Sequence, residues 1–173
     1  MDDESSRQLA ITIADPRWHQ VFPDYEERLR AALMATLART PLTASRRFTV
    51  DVTLADDETV HALNARYRGR DAPTDVLSFP QFAAGELLAL APEGPPLPLG
   101  DIVLAFDTVL REAKALDQPL EAHALHLFVH GLLHLLGYDH EQEDQARRME
   151  RLESEILAAV DVPDPYQDQE GEP

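Results

Sequence analysis

The chain has 173 residues, 44% of them hydrophobic, which suits one domain with an ordinary core and excludes wholesale disorder. It has no cysteine, which excludes disulfides, thiolate metal sites and a cysteine nucleophile. Fifteen basic residues stand against 32 acidic ones, a net charge of −17, so a protein that grips nucleic acid over its whole surface is excluded as well.

Residues 1–6 are polar and acidic, with no basic or apolar leader pattern, and no run approaches the ~18 apolar residues of a membrane span. A cytoplasmic protein without a membrane partner is expected. Leu9, Ile11 and Ile13 alternate with small or polar neighbours, as in a half-buried strand. Asp24 opens a helix in which Tyr25, Leu29, Leu33 and Leu37 recur every four residues. Phe48, Val50, Val52 and Leu54 face one way and Thr49, Asp51 and Thr53 the other, a period of two and therefore a strand. Asp56 is placed to cap a short helix with Val60, Leu63 and Tyr67 on its apolar face. Val76, Leu77 and Phe79 form a short strand-like run, and the proline-rich stretch 83–98 reads as a loop. The apolar run Ile102–Phe106 predicts a central strand, followed by helices over about 107–116, 120–136 and 141–159. On the last of these, Met149, Leu152, Ile156 and Val160 form the apolar stripe.

The expectation is an α+β fold in a single domain: a small mixed β-sheet of about four strands packed with about five to six helices. An acidic flexible segment at 1–6, a metallo-hydrolase domain at 7–160 and an acidic proline-containing tail at 161–173 complete the division. The chemistry concentrates between His123 and His140. On a helix, His126, His130 and His134 lie four apart and share one face. Gly137 stands where a glycine ends a helix, and the turn after it returns His140 toward that face. Three imidazoles at i, i+4 and i+10 can converge on one divalent ion, and zinc suits such a donor set. The metal site is thus expected on a helix of the C-terminal half and its following turn, with His130, His134 and His140 as ligands. His126 and Asp139 are candidates to support a ligand, and Asp139 could instead cap the last helix.

This frame is similar to the zinc-protease motif His-Glu-x-x-His-x-x-Gly-x-x-His, but Gly131 stands where that motif needs its general-base glutamate, which argues against a peptidase. The run His130-Gly131-Leu132-Leu133-His134-Leu135-Leu136-Gly137-Tyr138-Asp139-His140 instead resembles the YbeY-type endoribonucleases. The blocks Asn64–Asp71, Pro73–Pro80 and Leu99–Ile102, and Asp164-Pro165-Tyr166, extend the resemblance over about 60–166. It implies a metal-dependent endoribonuclease for single-stranded RNA, acting in maturation of the small-subunit rRNA 3′ end and in ribosome quality control. The ribosome or its assembly factors would be partners. It also implies that Arg68 is the functional arginine of the cleft. The residues support that role, because 64–74 carry three arginines and one aspartate, a local +2 in an acidic chain. A guanidinium can pair with phosphate oxygens and stabilise transition-state charge. Arg66 and Arg70 could contact RNA, and Asp75 could orient Arg68 or serve the metal site. The competing readings are a metal-stabilised ribosome-assembly or RNA-binding factor with little cleavage, and the zinc peptidase disfavoured by Gly131.

Overall fold

A computed structural model of the protein describes residues 8–40, 47–90 and 94–166. The expected N-terminal segment 1–6 and the end of the tail, 167–173, lie outside the described residues. In chain order the elements are β1 (Leu9–Ile13), α1 (Arg17–Val21), α2 (Tyr25–Ala38), β2 (Phe48–Ala55), α3 (Asp57–Arg68), β3 (Val76–Pro80), α4 (Ala84–Leu88), β4 (Leu97–Ala105), α5 (Phe106–Ala115), α6 (Leu120–Leu135) and α7 (Glu143–Ala159). The four strands form one mixed sheet in the order β1-β2-β4-β3; β1, β2 and β4 run parallel and β3 closes one edge antiparallel to β4. The α+β fold with a four-stranded mixed sheet is as expected.

The patterns explain the elements. On β2 the residues Phe48, Val50, Val52 and Leu54 are all buried while Asp51 is exposed, as their alternation predicts. Helix α3 is capped at its start by the Asp56 side chain, which accepts from Thr59 N at 2.8 Å. It ends at Gly69 in the left-handed region, φ +68°. Helix α6 is apolar nearly all round and is buried between the sheet and its neighbours α2, α5 and α7. Between Ala122 and Leu135 the only positions of α6 not buried are His126, His130 and His134, so after its first turn the central helix reaches solvent along the histidine ridge. A smaller cluster of Ala55, Val60, Leu77, Val103 and Ala105 lies apart from the main core, with Leu63 of α3 and Phe79 packed against it.

The helices number seven among the described residues, against five or six expected, because two short ones leave no clear period in the sequence. Helix α1 forms around Trp18, which is fully buried, donates from Nε1 to Ala55 O at 2.9 Å and meets Phe106 edge-on. The stretch 83–98 is not all loop. It contains α4, where Glu86 Oε1 accepts from Ala83 N at 2.9 Å, and the first two residues of β4. Pro98 is tolerated inside β4 because the register with β2 shifts between Thr49 and Val50.

Gly100 holds this region together. It pairs with Val50 on one side and Pro80 on the other, at φ +143°. A Cβ there would collide with the carbonyl oxygen of Phe79 and stand 2.9 Å from Leu135 Cδ2 of α6. Gly100→Ala therefore combines an unfavourable backbone region with overpacking, and roughly 3–5 kcal/mol of stability should be lost. Denaturant unfolding should show a lower midpoint with an unchanged slope.

Candidate active site

The side chains of His130, His134 and His140 each offer a nitrogen, and these lie within 4.8 Å of one another. The two residues on α6 are oriented from behind. His130 Nδ1 bonds Glu153 Oε1 at 2.5 Å, and His134 Nδ1 bonds the carbonyl of Tyr138 at 3.1 Å. Because Nδ1 faces an acceptor in both rings, both Nε2 atoms are left for the open site, where they lie 3.0 Å apart. Two ring nitrogens this close need a shared proton or a metal ion between them. The donor set therefore fits a divalent ion, as the histidine spacing predicts. His140 reaches the group across the turn, its ring centroid 5.1 Å from that of His134 and 5.7 Å from that of His130. Burial first, and then His130 and His140, holds His134 below the ordinary histidine range, so its ring is neutral and able to donate.

The triad opens into a cleft of about 500 Å³ whose opposite wall carries Arg68, Asp75 and Ser78. Arg68 is the last residue of α3 and is exposed. Its guanidinium donates to Ser78 O at 2.8 Å and lies 5.9 Å from the centroid of the Phe79 ring. The turn after it is pinned by buried Asn64, which donates from Nδ2 to Ala72 O at 2.8 Å and accepts from Arg70 N at its own carbonyl. The structure thus brings His130, His134, His140, Arg68, Asp75 and Asp139 to one cleft. Arg66 and Arg70 are exposed but do not line it. His126 also faces away from it and lines a different cavity.

Two expectations about acidic residues need correction. Asp139 does not cap the last helix. Its Oδ1 accepts from His140 N at 2.7 Å, while α7 begins after Gln142, which makes no side-chain cap. Nor does Asp75 orient Arg68, which the Ser78 carbonyl holds instead. Asp75 Oδ1 accepts from Val76 N at 2.7 Å, and its carboxylate faces Glu112. With buried His123, these two residues form a second set whose donor atoms lie within 4.8 Å and which could also hold a cation. Burial and then the Asp75 charge push Glu112 up to about 7, while burial and then His126 pull His123 down to about 4. Their 2.8 Å contact is therefore held by hydrogen bonding more than by opposite charge.

The chain is similar to known proteins over most of its length. The family model described as Endoribonuclease YbeY matches residues 13–161. The chain belongs to the YbeY endoribonuclease family. A relative named Endoribonuclease YbeY from Erythrobacter litoralis is 49% identical over 146 residues, covering 84% of this chain and 91% of its own. Another of the same name from Novosphingobium aromaticivorans is 47% identical over 154 residues, covering 88% and 92%. A solution structure of a Thermotoga maritima protein shares the fold, with a TM-score of 0.53 at 22% identity, over 91% of this chain and 97% of that one.

In this YbeY-family chain, the residue that sequence reasoning missed is Glu153. It is fully buried on α7 and gathers His126 Nε2 at 3.4 Å, His130 Nδ1 and the Tyr166 hydroxyl. Burial alone would raise its pKa, but the bonds from His126, His130 and Tyr166 outweigh that and hold it down to about 2. A signal was present: a glutamate between Met149 and Ile156, on the apolar side of an otherwise amphipathic helix, is out of place unless paired. Glu153→Ala should weaken metal binding about 10- to 100-fold, the usual scale for losing the group that orients a histidine ligand. Chelator competition would measure this, and Glu153→Gln should recover part of it by keeping an acceptor oxygen.

Gly131 has a local reason too. Its Cβ would stand 3.2–3.3 Å from three carbons of Ile102, so α6 can lie this close to β4 only without a side chain there. The position at which a zinc protease carries its general base is here used for packing.

Proposed function

We propose that this protein is a metal-dependent endoribonuclease for single-stranded RNA, acting on the 3′ end of small-subunit rRNA in the cytoplasm in association with ribosomes or their assembly factors. The observation that carries this reading is that three convergent histidines and an exposed arginine open into the same cleft. His130, His134 and His140 would hold the ion, and zinc suits a set of imidazole donors. Such an ion, when bound, supplies concentrated positive charge that polarises a phosphoryl oxygen.

The chain's own residues then divide the remaining work. Arg68, tethered at Ser78 O, leaves guanidinium donors for the scissile phosphate and for the charge that grows as the phosphorus becomes five-coordinate. Glu153 and the Tyr138 carbonyl keep the two α6 imidazoles from turning. Exposed Arg66 and Arg70, beside Arg68, would track the RNA backbone outside the cleft.

The test is incubation of zinc-loaded protein with matched single-stranded and duplex RNAs and with ribosomal particles carrying unprocessed small-subunit rRNA. Internal cleavage of single strands, and conversion of the precursor end, are the expected results. Because the chain is acidic, the salt dependence of binding should be shallow. A log–log slope of about −2 to −3 corresponds to the few phosphates that three arginines can meet. Binding to ribosomal particles without any cleavage would favour the assembly-factor reading instead.

A further inference from the structure

Tyr67 is on the apolar stripe of α3 by sequence, yet 59% of it is exposed, the largest exposure of any large hydrophobic side chain among the described residues. It stands over a shallow groove of about 390 Å³ on the other side of edge strand β3 from the cleft, where its ring meets Phe79 edge-on at 5.8 Å. Leu63 and Val103 supply the apolar walls. The Arg66 guanidinium lies 5.2 Å from the Tyr67 ring centroid. Arg68 joins the two places, since it lines the cleft and its guanidinium also lies over Phe79.

We infer that the Tyr67–Phe79 groove is a stacking site for one unpaired nucleobase of an RNA whose neighbouring phosphate lies at Arg68. The inference rests on the ribonuclease reading and adds to it where the strand goes next. Two features favour a base over other occupants. Flat apolar walls with an exposed aromatic and an arginine plane are what unpaired bases stack on. Asp101 in the groove, with Asp51 close enough to act on it, disfavours a phosphate there, so the backbone is left to Arg66 and Arg68, which stand beside the two rings. Single-stranded RNA can splay a base into such a groove, whereas a duplex keeps its bases stacked, so the groove also favours single strands.

The experiment uses the full chain, loaded with zinc, and a short labelled single-stranded oligoribonucleotide. Tyr67→Leu keeps an apolar cover over the groove but removes the π face. It should raise Kd and KM by roughly 5- to 150-fold, the scale for losing one stacked base, with kcat little changed. Tyr67→Phe should match wild type. An RNA with one abasic position beside the scissile phosphate should bind wild type about as weakly as intact RNA binds Tyr67→Leu. The two losses should not add when combined, because they remove the same contact. Wild-type Kd and KM for Tyr67→Leu, or fully additive losses, would overturn the stacking site while leaving the nuclease reading intact. Wild-type protein that binds no RNA at all would overturn both. If Tyr67→Leu does not fold, the abasic scan on Tyr67→Phe and wild type decides, and no position-specific loss in either would also overturn the inference.

Discussion

His134→Ala should yield a folded protein that retains no metal and gives no cleavage of single-stranded RNA above background. His134 sits between the other two histidines, its Nε2 3.0 Å from that of His130 and its ring nearer to His140 than the His130 ring is. Without it, two imidazoles remain on separate elements, and a site of two neutral donors holds a divalent ion far less well than one of three. The fold should survive, because the side chain is only half-buried at the solvent edge of α6. Elemental analysis alongside circular dichroism checks both halves of the expectation, and His130→Ala and His140→Ala should behave alike. Full metal retention in any of the three removes that residue from the ligand set.

Arg68→Ala should separate catalysis from metal binding. The residue lies at the end of α3, its guanidinium bonded to a backbone carbonyl rather than to any histidine, so its loss should leave fold and metal content unchanged. Cleavage should fall about 10²–10³-fold, the scale for removing one group that stabilises transition-state charge. Arg68→Lys should recover part of this, since an ammonium keeps the charge but cannot hold the Ser78 carbonyl and phosphate oxygens in one planar fork. Arg66→Ala and Arg70→Ala, both outside the cleft, should affect affinity more than turnover. Wild-type cleavage by metal-loaded Arg68→Ala would remove the arginine from the mechanism. Loss of metal with it would make the role structural.

What the sequence makes legible here follows periodicity. The strand of Phe48–Leu54 shows its period of two because one face is buried and the other is not, and the histidines show their period of four because they form an open edge of a buried helix. The contacts that are not legible are those in which tertiary structure overrides composition. The prolines and glycines of 83–98 read as loop, but a register shift against β2 admits Pro98 into a strand. Glu153 stands out only by its place on the apolar side of an acidic helix, and what it supports, His130, shows only in its partners on α6 and at Tyr166. Tyr67 errs the other way, following the apolar stripe of α3 to a position over the sheet that nothing covers.

The contact between Tyr166 and Glu153 changes how the acidic tail should be handled at the bench. Residues 161–166 look dispensable by composition, yet Val162 is buried, Asp164 accepts from Ser154 Oγ at 2.8 Å, and the Tyr166 hydroxyl closes over the carboxylate that steadies His130. A protein trimmed at Val160 to aid crystallisation, or joined there to a fusion partner, would have a histidine backed by a carboxylate missing one of its three donors. Metal affinities measured on such a protein would describe a looser centre than the native one, and the difference would pass for a property of the metal.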